Sequence, residues 1–303
     1  MSIFTKVLLA TDGSESSALA ALAALELSKR LGSEVQVIHV AREHPCVHPY
    51  HDPRHEEEKK RFRSEDEQAL EEFVKRIREA GGTIAESHLR VGDPADEIVE
   101  LAEELEVGQV VVGSRGLGSV RRALMGSVST SVLRHAHCSV LIVRGHYPEH
   151  EQTFPPGKIL VATDGSEEAT AAARVATEIA EATDSQLHLA YAMQEERYRP
   201  HLGPEMWEGW EGGFEHAKRS ARSWVEEEGR RIRGKGAKRV EPHLVLGRPD
   251  AAIVWLAEEI GAGLVVVGSR GLGAMRRTLV GSVSDSVARH AHCPVLVVRK
   301  ETR

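Results

Sequence analysis

The chain reads GSRGLGSVRRALMGSVSTSVLRHAHCSVLIVR from Gly113 to Arg144, and 24 of these 32 positions are identical in the stretch Gly268–Arg299. The segment KVLLATDGS at Lys6–Ser14 returns as KILVATDGS at Lys158–Ser166. A repeat of roughly 150 residues is a whole domain, because solenoid units are several times shorter. The sequence therefore predicts two copies of one domain, at 1–144 and 158–303, joined by a proline-containing linker at 145–157.

The composition excludes several classes of protein. The 303 residues carry 39 Lys+Arg and 46 Asp+Glu, a net charge of −7, and no basic block, which argues against nucleic acid as a partner. The longest apolar run, Ala18 to Leu25, is too short to span a membrane, and the N-terminus lacks the features of a signal peptide. Three cysteines in so long a chain do not suggest a disulfide framework. We expect a cytoplasmic protein with no membrane contact.

The order of strands and helices predicts the fold class. Short apolar runs alternate with amphipathic segments, so each copy reads βαβαβαβαβ, an α/β domain with a parallel sheet covered on both faces. In the first copy we expect strands at 7–10, 35–40, 84–91, 110–112 and 140–143, and helices ending near 31, at 56–79, at 96–105 and at about 127–135.

A glycine pattern follows the fourth strand of each copy: Gly113-x2-Gly116-x9-Gly126-Ser127 and Gly268-x2-Gly271-x9-Gly281-Ser282. Glycines allow the backbone to approach phosphoryl oxygens, and the following helix N-terminus offers unpaired N–H groups. The serines could add a hydroxyl or cap the helix. The alternative is that the glycines serve a tight connection only.

An aspartate ends the first strand of each copy, Asp12 in TDGS and Asp164 in its repeat. Ligands of open parallel sheets bind outside the carboxyl ends of the strands, where the winding reverses. We therefore expect Asp12 to face the glycine loop, where it could bind a base, a ribose or a cation. The alternative is an Asx turn or a helix cap.

With these motifs, both copies resemble the universal stress protein family, in particular its ATP-binding branch with the pattern G-2x-G-9x-G-(S/T). The resemblance implies a doubly wound, Rossmann-like sheet of five strands in the order 3-2-1-4-5, with ATP, accompanied by Mg²⁺, between the first and fourth strands. Ala192 stands where the first copy has Val40, which implies a looser adenine side in the second site. The implied ligand-binding residues are Thr11, Asp12, Val40, Val112, Gly113, Gly116, Gly126, Ser127 and Val128, and Thr163, Asp164, Val267, Gly268, Gly271, Gly281, Ser282 and Val283.

The resemblance favours a regulatory stress-tolerance protein that binds ATP without catalysis. No nucleophile and base can be assembled from residues that both copies share, so no catalytic residue is assigned. One alternative is an ATP-hydrolysing or pyrophosphatase-type enzyme, since Thr11–Ser16 stands where related enzymes carry S-G-G-x-D-S. Asp12 stands at a position where such a pyrophosphate loop needs a small residue, which argues against the enzyme. Another alternative is an interaction module with vestigial pockets.

Other residue clusters favour structural roles. His44, Cys46, His48, His51 and His55 have spacings that suit zinc or copper, but the second copy lacks them, so a solvated loop is expected and no metal ligand is assigned. The repeated HAHC at His135–Cys138 and His290–Cys293 is expected to be structural, and an apolar face is expected to serve packing; it comprises Trp207, Trp210, Phe214, Ala217, Ala221 and Trp224. Six arginines could neutralise phosphates or form a basic surface: Arg115, Arg121–Arg122, Arg270 and Arg276–Arg277.

The last strand of each copy is apolar, at Val140–Val143 and Val295–Val298. In the order 3-2-1-4-5 this strand lies at the sheet edge, and bare apolar edges promote aggregation. We therefore expect the two copies to pair through these strands, as universal stress proteins dimerise, with a homodimer as a further option.

Overall fold

The structure is a computed structural model that describes residues 3–41, 53–116, 125–144, 154–195, 210–272 and 280–300; of 53–62, 210 and 211 it describes the backbone only. The chain divides into two compact units, Met1–Glu149 and His150–Arg303. The predicted linker lies mostly outside the described residues, so its limits stay a prediction.

The first unit is a parallel five-stranded sheet in the order β3-β2-β1-β4-β5 with helices between the strands. The predicted fold class and strand order are confirmed. The elements are β1 (Lys6–Thr11), α1 (Glu15–Leu31), β2 (Glu34–Ala41), α2 (Pro53–Glu79), β3 (Glu86–Val91), α3 (Pro94–Glu104), β4 (Gln109–Gly113), α4 (Ser127–His135) and β5 (Ser139–Val143).

The second unit repeats this topology, with the parallel order β8-β7-β6-β9-β10. Its elements are β6 (Lys158–Ala162), α5 (Glu167–Thr183), β7 (Gln186–Met193), α6 (Trp210–Arg233), β8 (Val240–Leu246), α7 (Pro249–Ile260), β9 (Leu264–Gly268), α8 (Ser282–His290) and β10 (Val295–Val298).

Local sequence explains how the first helix is placed beside the first strand. Ser14 accepts a hydrogen bond from Ser17 N and caps α1, and Gly32 ends the helix in the left-handed conformation at φ 72°. The buried face of α1 is largely alanine, which lets the helix lie close to the sheet. The strand–turn–helix predicted here is therefore formed as expected.

Several predicted boundaries were wrong by one to three residues, most clearly those of α2 and β3. Helix α2 begins at Pro53 rather than at residue 56, because proline at the first helical position already has a helical φ and lacks only an N–H that would be unpaired there. Strand β3 begins at Glu86 rather than at residue 84. Ile84 is buried, but it precedes the first residue that pairs with β2.

Among the described residues, no helix combines the length and the apolar character needed to cross a membrane.

Candidate functional site

The carboxyl ends of β1 and β4 lie side by side in the first unit, with Leu9 opposite Val111 in parallel register. Asp12 follows β1 directly, and the glycine loop follows Gly113 at the end of β4. In the second unit β6 and β9 repeat this arrangement, with Val161 opposite Val266. The Asp-Gly turn and the glycine loop therefore emerge at one edge of each sheet, at the point where the winding reverses.

The second glycine of the motif lies against the aspartate of the first strand. A Cβ atom at Gly116 would collide with Asp12 Oδ2, and a Cβ atom at Gly271 would collide with Asp164 Oδ2. In the second unit Leu272 N also donates a hydrogen bond to Asp164 Oδ2 at 2.9 Å. The structure thus brings together the two motifs that the sequence places about 100 residues apart.

The other carboxylate oxygen of each aspartate closes an Asx turn, which was the alternative interpretation. Ser14 N donates to Asp12 Oδ1 and Ser166 N donates to Asp164 Oδ1, both at 3.0 Å. Thr11 and Thr163 support the same turns, because Gly13 N and Gly165 N donate to their hydroxyls at 3.2 and 3.3 Å. Each aspartate therefore uses one oxygen for the turn and directs the other towards the loop.

The first glycine of each motif serves close packing. A Cβ atom at Gly113 would lie 2.8 Å from the backbone carbon of Ser16 on α1, and one at Gly268 would lie 2.8 Å from that of Glu168 on α5. Real Cβ atoms do not approach backbone that closely, so any other residue would push the helix away from the strand. This glycine therefore has a packing role in each unit.

The third glycine is the N-cap of the following helix. Gly126 caps α4 and Gly281 caps α8, and among the described residues neither helix start accepts a side-chain capping bond. The predicted capping by Ser127 and Ser282 is wrong, because both are the first helical residues and both are exposed. Within the described part of the chain, each helix thus opens on backbone N–H groups that no capping side chain covers, as anion binding requires.

Two serines that the sequence analysis missed fix this helix to the preceding strand. Ser129 Oγ donates to the Gly113 carbonyl at 2.7 Å, and Ser284 Oγ donates to the Gly268 carbonyl at 2.6 Å. Gly126 N and Gly281 N in turn donate to the carbonyls of Ser114 and Ser269. The spacing of a serine three residues after the last glycine was a usable signal, since both copies carry it.

The implied valines differ in how they could meet a ligand. Val112 and Val267 are 3% and 2% exposed, so their side chains belong to the core. Val40 at the end of β2 is half-buried, as are Ala192 at the matching point of β7 and Val128 and Val283 in the helix first turns.

The flank of the site differs between the units. In the second unit Tyr191 and Trp224 meet edge to face, with ring centroids 5.1 Å apart, beside Asp164. They line a cavity of about 380 Å³ together with Ala217, Ser220 and Ala221. The expectation that this apolar face serves packing holds only in part. Phe214 is buried, but Trp224 is 38% exposed and faces the cavity. Trp207 and the side chain of Trp210 lie outside the described residues.

In the first unit, His39 occupies the position that Tyr191 has in the second. One ring nitrogen, Nδ1, hydrogen-bonds the Thr11 carbonyl at 2.9 Å, and the other, Nε2, lies 3.3 Å from Asp66 Oδ1. A polar pair therefore stands where the second unit presents an aromatic one.

The arginines between the first two glycines also differ in their surroundings. Arg270 forms an ion pair with Glu168 at 3.2 Å. The position of Glu168 is taken by Ser16 in the first unit, opposite Gly113 in the same way. Arg121–Arg122 and Arg276–Arg277 lie outside the described residues.

The repeated histidines of the helix-to-strand turn have structural partners. His135 Nδ1 donates to the Ser131 carbonyl at 2.9 Å, and His137 forms an ion pair with Glu103. The histidine- and cysteine-rich segment from His44 to His55 lies outside the residues whose side chains the structure describes.

Comparison with known proteins identifies the family. The model of the universal stress protein family matches residues 4–144 and 156–299. A universal stress protein of Mycolicibacterium smegmatis is 32% identical over 235 residues, 77% of this chain and 75% of its own, and one of Mycobacterium tuberculosis is 33% identical over 237 residues, 74% and 75% of the two chains. The crystal structure of a universal stress protein from Archaeoglobus fulgidus superposes with a TM-score of 0.69 at 28% identity and covers 98% of this chain and 99% of that one.

The chain therefore belongs to the universal stress protein family, in a tandem form with two family domains. The resemblance inferred from the sequence is confirmed, and membership supports a role connected with stress.

Proposed function

We propose that this protein is a nucleotide-dependent regulatory factor of stress tolerance that binds ATP, with Mg²⁺, at one site in each unit. The observation that carries the proposal is the convergence of three features at the carboxyl edge of each sheet: the glycine loop, a helix N-terminus capped by glycine, and the aspartate of the first strand. Phosphates fit such helix N-termini because the N–H groups and the helix dipole favour negative charge.

The residues present fit a nucleotide better than a plain phosphate. Asp12 and Asp164 keep one carboxylate oxygen turned towards the loop, where it can accept from a ribose or base or share a cation with the phosphates. Gly126 and Gly281 leave the helix entrance open. Beside Asp164, the aromatic cavity of the second unit is large enough for a planar base.

An ATP-hydrolysing or pyrophosphatase-type enzyme at the same place is the weaker candidate. A pyrophosphate loop needs backbone N–H groups directed at the ligand, but Ser14 N already donates to Asp12 Oδ1 and Ser17 N to Ser14 Oγ. The turn after the first strand is thus satisfied by its own side chains in the described structure. At most, weak ATP hydrolysis is consistent with the proposal.

Sequence alone supports two further parts of the proposal. The apolar last strands favour pairing of the two units within the chain, with a homodimer as the alternative. The low cysteine content favours a cytoplasmic protein.

Thermal unfolding of tag-free, nucleotide-free protein tests the proposal. Saturation at about 100 times Kd stabilises a unit by about 2.7 kcal/mol, which raises the melting temperature by roughly 5–10 °C. ATP with Mg²⁺ should give this shift, and pyrophosphate release should stay at background. An unchanged melting curve would refute ATP binding, and rapid pyrophosphate release would favour the enzyme.

A further inference from the structure

A second polar cluster lies in the second unit, on β7 and β8, further from the carboxyl ends of the strands than the candidate nucleotide site. The parallel register of β7 and β8 pairs His188 with Glu241 and Ala190 with His243. Alternate residues of a strand share one face of the sheet, so the three ionisable side chains project to the same side. Tyr191, at the nucleotide site, lies three residues further along β7, about 10 Å away.

The three side chains meet through atoms that are good metal ligands. His188 Nδ1 lies 2.8 Å from His243 Nε2 and 3.7 Å from Glu241 Oε2, and His243 Nε2 lies 4.0 Å from Glu241 Oε1. Two imidazoles and a carboxylate with an open fourth position are a ligand set typical of Zn²⁺. The geometry points to a site for a borderline divalent cation such as Zn²⁺, formed by His188, Glu241 and His243.

Burial makes this more than a surface cluster. His188 is 3% exposed, and its Nδ1 faces His243 Nε2 and the Glu241 carboxylate. The Glu241 side chain is 53% exposed and that of His243 18%, so a cation and a water ligand can enter from solvent. A buried histidine with its ligating nitrogen turned towards this opening is a preformed part of a site.

One cationic side chain, that of Lys158, acts on His188 together with the carboxylate of Glu241. Lys158 opposes a cation, but its Nζ donates to the Ile260 carbonyl at 2.9 Å and Glu241 supplies the compensating charge.

The present distance between the histidines is that of a hydrogen bond with one shared proton. Two nitrogens on one tetrahedral zinc ion lie about 3.3 Å apart, given Zn–N bonds of about 2.0–2.1 Å. Binding therefore requires the donor ring to change tautomer, so that its proton moves to its other ring nitrogen. The two stacked rings then separate by about half an ångström, and the exposed carboxylate of Glu241 moves in to complete the site.

The first unit provides a natural control, because the matching positions carry a glutamate and only one histidine. Gln36, Glu86 and His88 occupy the corresponding register positions on β2 and β3, and His88 Nε2 hydrogen-bonds Gln36 Oε1 at 2.9 Å. A carboxamide is a poor zinc ligand, so this cluster is expected to bind no metal. One substitution, His188→Gln, converts the proposed site into this arrangement.

Zinc titration of the full chain tests the inference. The parent protein is tag-free and has the candidate ligands of the 44–55 segment replaced: His44, His48, His51 and His55 by Ala and Cys46 by Ser. We expect calorimetry to find about one Zn²⁺ per chain, and Co²⁺ to give the visible spectrum of a four-coordinate site. No binding by the parent at about 100 µM Zn²⁺ would overturn the inference.

Matched variants locate the site. His188→Gln should weaken zinc binding at least tenfold, about 1.4 kcal/mol, whereas His88→Gln should leave it unchanged. Equal affinity in parent and His188→Gln, or equal losses in both variants, would overturn the assignment. If His188→Gln fails to fold, zinc affinity is measured for Glu241→Gln, a change at an exposed residue. Weaker zinc binding by this variant supports the site. Unchanged zinc binding shows that Glu241 is not a ligand and overturns the proposed ligand set.

Discussion

The two units carry the same glycine spacing but surround it differently. In the first unit, Ser16 faces the first glycine and the His39–Asp66 pair flanks the turn. In the second, Glu168 pairs with Arg270 beside the loop, and Tyr191 and Trp224 form an aromatic flank. A duplicated motif thus conserves how the backbone is presented, while neighbouring elements set the charge and shape around it.

The helix first turns add to this difference. Asp285 lies in the first turn of α8, where α4 has Thr130, and Arg289 pairs with it through two nitrogens at 2.8 and 3.2 Å. The second unit thus has two arginine-paired carboxylates, Glu168 and Asp285, where the first unit has Ser16 and Thr130.

The largest effect should come from separating the two sites. Gly126→Val should reduce ATP binding in the first unit by at least about 100-fold, because the branched side chain fills the space at the helix entrance, and Gly281→Val should do the same in the second. The matched control is Gly126→Ala, whose Cβ would lie no closer than 3.5 Å to any neighbour. Calorimetric stoichiometry measures this, and loss of all ATP after one substitution would indicate a single shared site.

Next, the first glycine should affect folding rather than ligand contact. Gly113→Ala should destabilise the first unit by about 1–3 kcal/mol, because its Cβ would press on the α1 backbone. Gly126→Ala should cost less, at most about 1 kcal/mol, because alanine is a poorer N-cap than glycine but its Cβ meets no close neighbour. Chemical denaturation without nucleotide checks both, and equal stability of the two variants would show that the first glycine is not a packing residue.

The aromatic flank should matter in the second unit alone. Trp224→Ala should weaken ATP there about tenfold, since stacking of a base contributes about 1–3 kcal/mol. Folding should change little, because Trp224 is 38% exposed. Titration in the Gly126→Val background isolates this site, whereas the same change in the Gly281→Val background should have no effect. An unaltered affinity in the first background would argue against a base in the aromatic cavity.

The smallest expected effect concerns charge. Glu168→Ser reproduces the first unit at this position and releases Arg270, so ATP affinity in the second unit should rise about two- to fivefold. The gain should shrink as salt rises, because the pair is partly exposed. Adenosine, which has no phosphate, should bind equally before and after the change. Weaker ATP binding would show that the ion pair holds Arg270 in its working position.

The sequence predicted the fold well because its signals are local. The consecutive valines of 110–112 indicate β4, and a serine before an alanine-rich run, Ser14, indicates α1. The contact of Asp12 with Gly116 could also be anticipated, since parallel strands bring their carboxyl ends to one edge. The proposed zinc site of His188, Glu241 and His243 could not be anticipated, because His188 and His243 are 55 residues apart and meet only through the register of β7 and β8.

By itself, the sequence determined the duplication, the alternation of strands and helices, and the place of the glycine loop after the fourth strand, since each of these depends on spacing along the chain. Only the tertiary structure distinguished the roles of the glycines. Gly113 leaves space for the backbone of α1, Gly116 lies against the Asp12 carboxylate, and Gly126 is the N-cap of α4. Only the tertiary structure also showed how the surroundings of the two sites differ. The physical reason is that the neighbours of a loop come from distant segments, which sheet register and helix packing bring together.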